Sequence, residues 1–401
     1  TDASPAQAER SALPSRAPAG TPADAPPRPA THRASIAVMP FEEAGHDPAA
    51  RATAGAGLAY DLTMRLAKLR TLFVIAPGST AALMARGMGA GESARVLDVD
   101  YVVSGVLRRR ADVLRAEVQL TEARTARVCW ADVVQAPAND TLAVLDDIGG
   151  RLVGAIAGQV ELAERNRAIL KPPEGLDAWE AHHCGLWHMY RFEDHSNAQA
   201  QQFFEQAIRL DPTFSRPYAG LSFTHFQNAF LGWADRARQV ELAYRVAPQG
   251  ALADDQDPAV RWALGRASWL RGDIDAALAE LRTSVDLSPN FAQGHYAIAF
   301  VQSQSGDADA AIRATDFARE LSPFDPMLFA MLGARALALM RLGRFDEAAE
   351  WAVRAAARPN AHVHIMGIAA HCLALAGRHD QARRCAAAIR ARVPGYGVEA
   401  Y

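Results

Sequence analysis

Gly272-Asp-Ile-Asp-Ala-Ala277, Gly306-Asp-Ala-Asp-Ala-Ala311, Gly343-Arg-Phe-Asp-Glu-Ala348 and Gly377-Arg-His-Asp-Gln-Ala382 are four versions of one short segment. Their glycines stand 34, 37 and 34 residues apart, and prolines close the units at Pro289, Pro323, Pro359 and Pro394. A period of this length marks an array of helical hairpins. The residue types supply the mechanism: glycine ends a first helix in the left-handed conformation, alanine lets the second helix come close, and proline stops it. One such pair cannot bury its own apolar stripe, so neighbours must stack.

Outward from this core, Ala200, Phe204, Ala207 and Pro212 match the second helix of an earlier unit. Tyr218, Leu221, Ala243 and Pro248 outline the next, with a lengthened turn around Leu231-Gly232-Trp233. About six helical pairs are expected over residues 176–396. Leu264-Gly265 and Ile298-Ala299 complete the first-helix pattern, and the stretch resembles the tetratricopeptide repeat family. That resemblance implies an all-α superhelix whose concave face grips a protein or peptide partner. First-helix residues expected on the inner curve are Trp179, Tyr190, Phe223, Phe226, Trp262, Trp269, Tyr296 and Phe300. Aromatic anchors are the usual hot spots of such recognition, although part of this set must be core between adjacent helices.

Residues 34–165 read differently, as an α/β domain. Ile36, Val38 and Phe41 open a buried strand, and Leu58, Leu62, Leu66 and Leu69 recur at helical spacing. Leu114, Ala116, Val118 and Leu120 alternate with polar residues, between apolar runs at Tyr101 to Leu107 and Val128 to Val134, so a three-stranded antiparallel meander is expected in a mixed sheet. A long helix from about Leu142 to Arg165 follows, with Leu145, Ile148, Leu152, Ile156 and Val160 on its buried side. Gly150, Gly154 and Gly158 are expected to seat that helix closely on the sheet; the apolar run is too short for a membrane span.

Ser35-Ile-Ala-Val-Met-Pro-Phe41, Leu72-Phe-Val-Ile-Ala76, Asp100-Tyr-Val-Val-Ser-Gly-Val-Leu-Arg-Arg109 and Cys129-Trp-Ala-Asp132 look like the TolB-like domain that precedes tetratricopeptide repeats in bacterial regulatory proteins. The resemblance implies a regulatory or interaction module behind a winged-helix DNA-binding domain or a class III adenylate cyclase domain. Glu42-Glu-Ala-Gly-His-Asp-Pro48 departs from the usual loop after the first strand. DNA would be reached only through the upstream domain, and both kinds of output imply a homodimer.

The remaining features exclude more than they assign. Net charge is −3, which gives no general attraction to nucleic acid or anionic membrane. Seven prolines and nine alanines in residues 1–33 predict a disordered linker. The start at Thr1, with Met39 inside the first strand, reads as a continuation of a longer polypeptide. Cys129, Cys184, Cys372 and Cys385 are scattered and read as core residues in a reducing, cytoplasmic compartment; an exported, periplasmic scaffold is the alternative. No phosphate loop, His-Glu-x-x-His helix or nucleophile elbow occurs, and Gly87, Gly89 and Gly91 read as a turn, so neither enzyme activity nor a cofactor is expected. His182, His183, His188 and His195 spread around a helix, and His362, His364 and His371 lack a third partner, so both groups read as packing or solvent-facing residues, not metal ligands. Arg108, Arg109 and Arg110 read as a solvated hairpin tip.

Overall fold

The structure is a computed structural model that describes residues 33–44, 54–110, 113–137 and 141–397. The expected linker, Arg33 excepted, lies outside the described residues, as do Gly45 to Pro48 of the loop after the first strand.

Strand β1 (Ser35–Val38) is buried along its whole length, as a continuous apolar run in a parallel pairing requires. With β2 (Glu42–Ala44), β3 (Phe73–Val74), β4 (Tyr101–Arg110), β5 (Val113–Glu122) and β6 (Arg127–Pro137) it forms a mixed sheet in the order β3-β1-β4-β5-β6, with β2 beside β4. β1 and β2 run parallel to β4, whereas β4, β5 and β6 form the antiparallel meander read in the sequence. Leu114, Ala116, Val118 and Leu120 are buried and Arg115, Glu117 and Gln119 are not, so the period-two pattern reports the wet face correctly. Helices α1 (Ala54–Lys68) and α4 (Thr141–Ala168) cover the apolar face, placing Leu58, Leu62 and Leu66 against Ile148, Leu152, Ile156 and Val160. On the opposite face α2 (Pro77–Ala85) and α3 (Ala90–Val96) shelter a smaller cluster of Ala37, Met39, Ala94, Val99 and Val102.

Six antiparallel helical pairs follow: α5 (Ala178–Met189) with α6 (Asp194–Leu210), α7 (Ser215–Phe230) with α8 (Arg236–Ala253), α9 (Pro258–Leu270) with α10 (Ile274–Leu287), α11 (Ala292–Ser305) with α12 (Ala308–Leu321), α13 (Leu328–Arg341) with α14 (Phe345–Ala356), and α15 (Val363–Leu375) with α16 (His379–Arg392). Each first helix packs on its own partner and on the first helix of the next pair, which is the arrangement of a tetratricopeptide-type superhelix. Gly272, Gly343 and Gly377 have φ of 84°, 73° and 72°, the left-handed caps expected of them. Gly306 is a correction: its φ is −109°, and the turn is held instead by the Arg341 guanidinium, which donates to the carbonyls of Gln302 and Gly306 at 2.9 and 3.0 Å. The aspartate after the glycine caps the following helix, Asp273 accepting from Ala276 N and Asp307 from Ala310 N, both at 3.0 Å.

Pro248 is a second correction, since α8 continues through it to Ala253. The extra turn carries Asp254 to Arg70, whose Nε lies 2.6 Å from the carboxylate.

Candidate functional site

The seam between α4 and the helical array carries the most built-in chemistry. Glu164 on α4 is buried and accepts from Tyr101 Oη of β4 at 2.7 Å, from Trp179 Nε1 of α5 at 2.8 Å and from Arg167 Nη2 at 2.6 Å. One carboxylate thus ties sheet, long helix and first helical pair together. Farther along, Arg216 pairs with Asp257 at 3.1 Å and donates to the Leu69 carbonyl, and Ser215 Oγ donates to the same Asp257 at 2.7 Å. The carboxylates of Glu164 and Asp257 are buried, and each has a partner, as desolvated ions require.

The glycine stripe of α4 faces this seam, correcting the expectation that it seats the helix on the sheet. A Cβ on Gly154 would stand 1.7 Å from the Leu321 carbonyl oxygen at the end of α12. Asn290 Nδ2 donates to the Gly150 carbonyl at 3.2 Å. Gly158, one turn on, meets nothing within 4 Å and opens on a cavity of about 180 Å³. The cavity is walled by Gly154, Ala157 and Gly158 of α4, by Trp179, His182 and Tyr190, by Trp262, and by Phe291 and Asp325. Phe324, 75% exposed, stands at its rim. Two buried polar atoms in the lining, His182 Nδ1 and Trp262 Nε1, have no hydrogen-bond partner. Apolar walls with a few convergent polar groups are the usual make-up of a binding pocket.

Trp179, Tyr190 and Trp262 therefore line the seam cavity. The other five aromatic residues expected on the inner curve, Phe223, Phe226, Trp269, Tyr296 and Phe300, belong to a second cluster inside the array. Phe223 meets Trp262 at 4.7 Å between ring centroids, and Trp269 meets Phe300 at 4.8 Å. Across the interior, Phe192 reaches Phe329 at 4.8 Å and Phe230 reaches His364 at 4.9 Å. Of the eight residues only Trp269 and Phe300 keep partial exposure, so the set does not form an open aromatic groove. The cause is closure of the array on itself. Asn360 Nδ2 donates to both the Tyr190 and Pro326 carbonyls, at 2.9 and 2.8 Å, and His364 Nε2 lies 2.8 Å from the Phe230 carbonyl. The start of α15 is thereby fastened to the ends of α5 and α7.

Among the described residues no group of three His, Cys, Asp or Glu side chains is placed to hold a metal ion. His183 Nδ1 lies 2.8 Å from the Trp179 carbonyl, one helical turn back. Burial pushes His183 down to about 4 and His362 to about 3, and pulls His182 well below the ordinary imidazole range. In each case the unfolded chain binds a proton more readily than the folded one, so stability is full above the unfolded value and falls as pH drops towards the folded one. Asp325 has the opposite sign: burial raises it to about 6, so deprotonation above its ordinary value costs stability. Three imidazoles outweigh one carboxyl group. The thermal midpoint is therefore expected to fall continuously as pH is lowered from about 7 to about 4, and a flat or rising midpoint over that range would contradict the buried-neutral assignment.

Arg266 and the orphaned donor of Trp262 escaped the sequence reading. The signal was present as Trp262-x-x-x-Arg266-x-x-Trp269, an arginine on the apolar face of a helix between two tryptophans.

No family model matches the chain. A protein of Rhizobium meliloti (strain 1021) named "Putative adenylate cyclase 3" is 28% identical over 251 residues, covering 61% of this chain and 42% of that protein. The chain thus matches less than half the length of this relative. Among solved structures, the Cut9-Hcn1 hetero-tetramer of the APC/C aligns with a TM-score of 0.45 at 17% identity over 63% of this chain and 47% of that one. PilF of Pseudomonas aeruginosa aligns at 0.37 and 13% identity over 59% and 95%, and TolB of Acinetobacter baumannii at 0.24 and 17% over 32% and 29%. Scores below 0.5 are too low to carry a functional inference. Among the described residues no helix is long and apolar enough to cross a membrane.

Proposed function

We propose that the chain is the non-catalytic sensory and partner-binding region of a bacterial signalling protein, and that the cavity between α4 and the helical array takes an apolar side chain of a protein partner. The observation that supports this is the cavity itself: it is bounded by both the α/β part and the repeats, so an occupant touches both and can bias how firmly they dock. Phe324 at its rim and the Trp262 donor inside offer an apolar lip and one polar reading point. Likeness to the Rhizobium protein favours an adenylate cyclase over a winged-helix domain as the output this region serves. A TolB-like ancestry for the α/β part belongs to the same reading.

Gly158→Phe tests the reading at a position that lines the cavity and where an added Cβ meets nothing within 4 Å. The variant is expected to keep the wild-type thermal midpoint or exceed it, since glycine in a helix interior costs about 1 kcal/mol relative to alanine. It is also expected to lose the partners that wild-type protein captures from native extracts. Recovery of the same partners by both proteins would exclude the cavity as their docking point.

A further inference from the structure

We propose a binding site for a small carboxylate, of acetate size, in the interior of the helical array, anchored on Arg266. Arg266 lies on α9 and is 3% exposed. Its guanidinium carbon stands 4.1 Å from the ring centre of Phe226 and 4.5 Å from that of Phe300, with Phe223 and Tyr296 at 5.6 and 5.8 Å. Ring faces attract the cation and the Tyr296 hydroxyl accepts a hydrogen bond from it, but Nε and Nη1 have no hydrogen-bond partner. Arg266 makes no ion pair with a carboxylate among the described residues, whereas the other arginine of the same helix, Arg261, pairs with Glu280 at 3.3 Å. A buried cation in that state is costly, because desolvation is not offset by an opposite charge.

Beside it lies a cavity of about 40 Å³, lined by Arg266 with Phe226, Phe230, Tyr296, Phe300 and His362. A site needs roughly 10–15 Å³ to hold one water, so this one has room for three or four heavy atoms. One positive charge calls for one negative charge, and His362, held neutral by burial, adds none. A planar carboxylate matches the planar donors of a guanidinium, and a methyl group suits the surrounding rings. The site is separate from the seam cavity and does not depend on the partner-binding reading.

The probe is sodium acetate, titrated into the whole chain in chloride-free buffer near neutral pH, with sodium sulfate at matched ionic strength as control. Wild-type protein is expected to show a saturable rise in thermal midpoint with acetate alone. Arg266→Met, which keeps the stem and removes the charge, is expected to lose that response and to match or exceed the wild-type midpoint in acetate-free buffer. An equal acetate response in the variant, or an equal rise with chloride or sulfate, would overturn the proposal. As a readout independent of the variant's folding, carbon-13 acetate bound to wild-type protein is expected to give nuclear Overhauser contacts from its methyl group to aromatic protons. Their absence at saturating acetate equally overturns it.

Discussion

Adding a single methyl group at Gly154 is expected to loosen the α/β layer from the helical array, whereas the same change at Gly158 is expected to stabilise the protein slightly. The two positions share a helix and a spacing, so intrinsic propensity favours alanine at both, by about 1 kcal/mol. They differ in what lies opposite. At Gly154 a Cβ meets a backbone carbonyl at 1.7 Å, which cannot swing aside as a side chain would; at Gly158 it meets nothing within 4 Å. Overpacking costs about 1–3 kcal/mol and more where backbone must move, so Gly154→Ala should sit at or above the top of that range. Because the contact joins α4 to the end of α12, strain falls on the seam, where the Asn290 to Gly150 bond is also lost. Calorimetry is expected to show a lowered, broadened transition, and limited proteolysis new cleavage between residues 169 and 177. Equal midpoints for the two alanine variants would show that the seam is not packed through this glycine.

Phe204→Ala is the second large effect. Phe204 on α6 is fully buried, and its ring fills the gap between α5 and α7 left by Gly185 and Gly220, where a Cβ would come within 2.6 and 2.5 Å of it. Two glycines give way to one ring, so no neighbouring side chain stands ready to fill the space when it is removed. Truncating a buried phenylalanine costs about 3–5 kcal/mol, and poor collapse places this site at the upper end. Denaturant titration is expected to give a large drop in midpoint at unchanged slope. A loss under about 1 kcal/mol would mean that the first two pairs repack freely.

The sequence resolves neighbour relations well and curvature poorly. Gly272, Gly343 and Gly377 set the phase of the helical pairs, and the alternation from Leu114 to Leu120 sets the wet face of the meander; both are local periods read along one chain. Whether Phe223 or Tyr296 looks onto a groove or into a filled interior depends on how far the array curls, and that is decided by Asn360 and His364 reaching pairs far away in sequence. The glycine stripe of α4 was visible for the same reason, and its direction was not. Small residues announce a close approach without saying which neighbour approaches. The cage around Arg266 combines both limits, since its rings come from α7 and α11, which only the folded array brings to the two sides of α9.

Arrays of stacked hairpins ordinarily lengthen or shorten by whole units, each addition asking only that its neighbour accept it. Fastening the sixth hairpin to the first and second removes that freedom. An inserted unit would carry Asn360 out of reach of Tyr190, and a deleted one would leave aromatic rings facing water. The unit count is thereby a fixed property of this architecture, as strand number is of a closed barrel, and variation is left to the outer helices and turns.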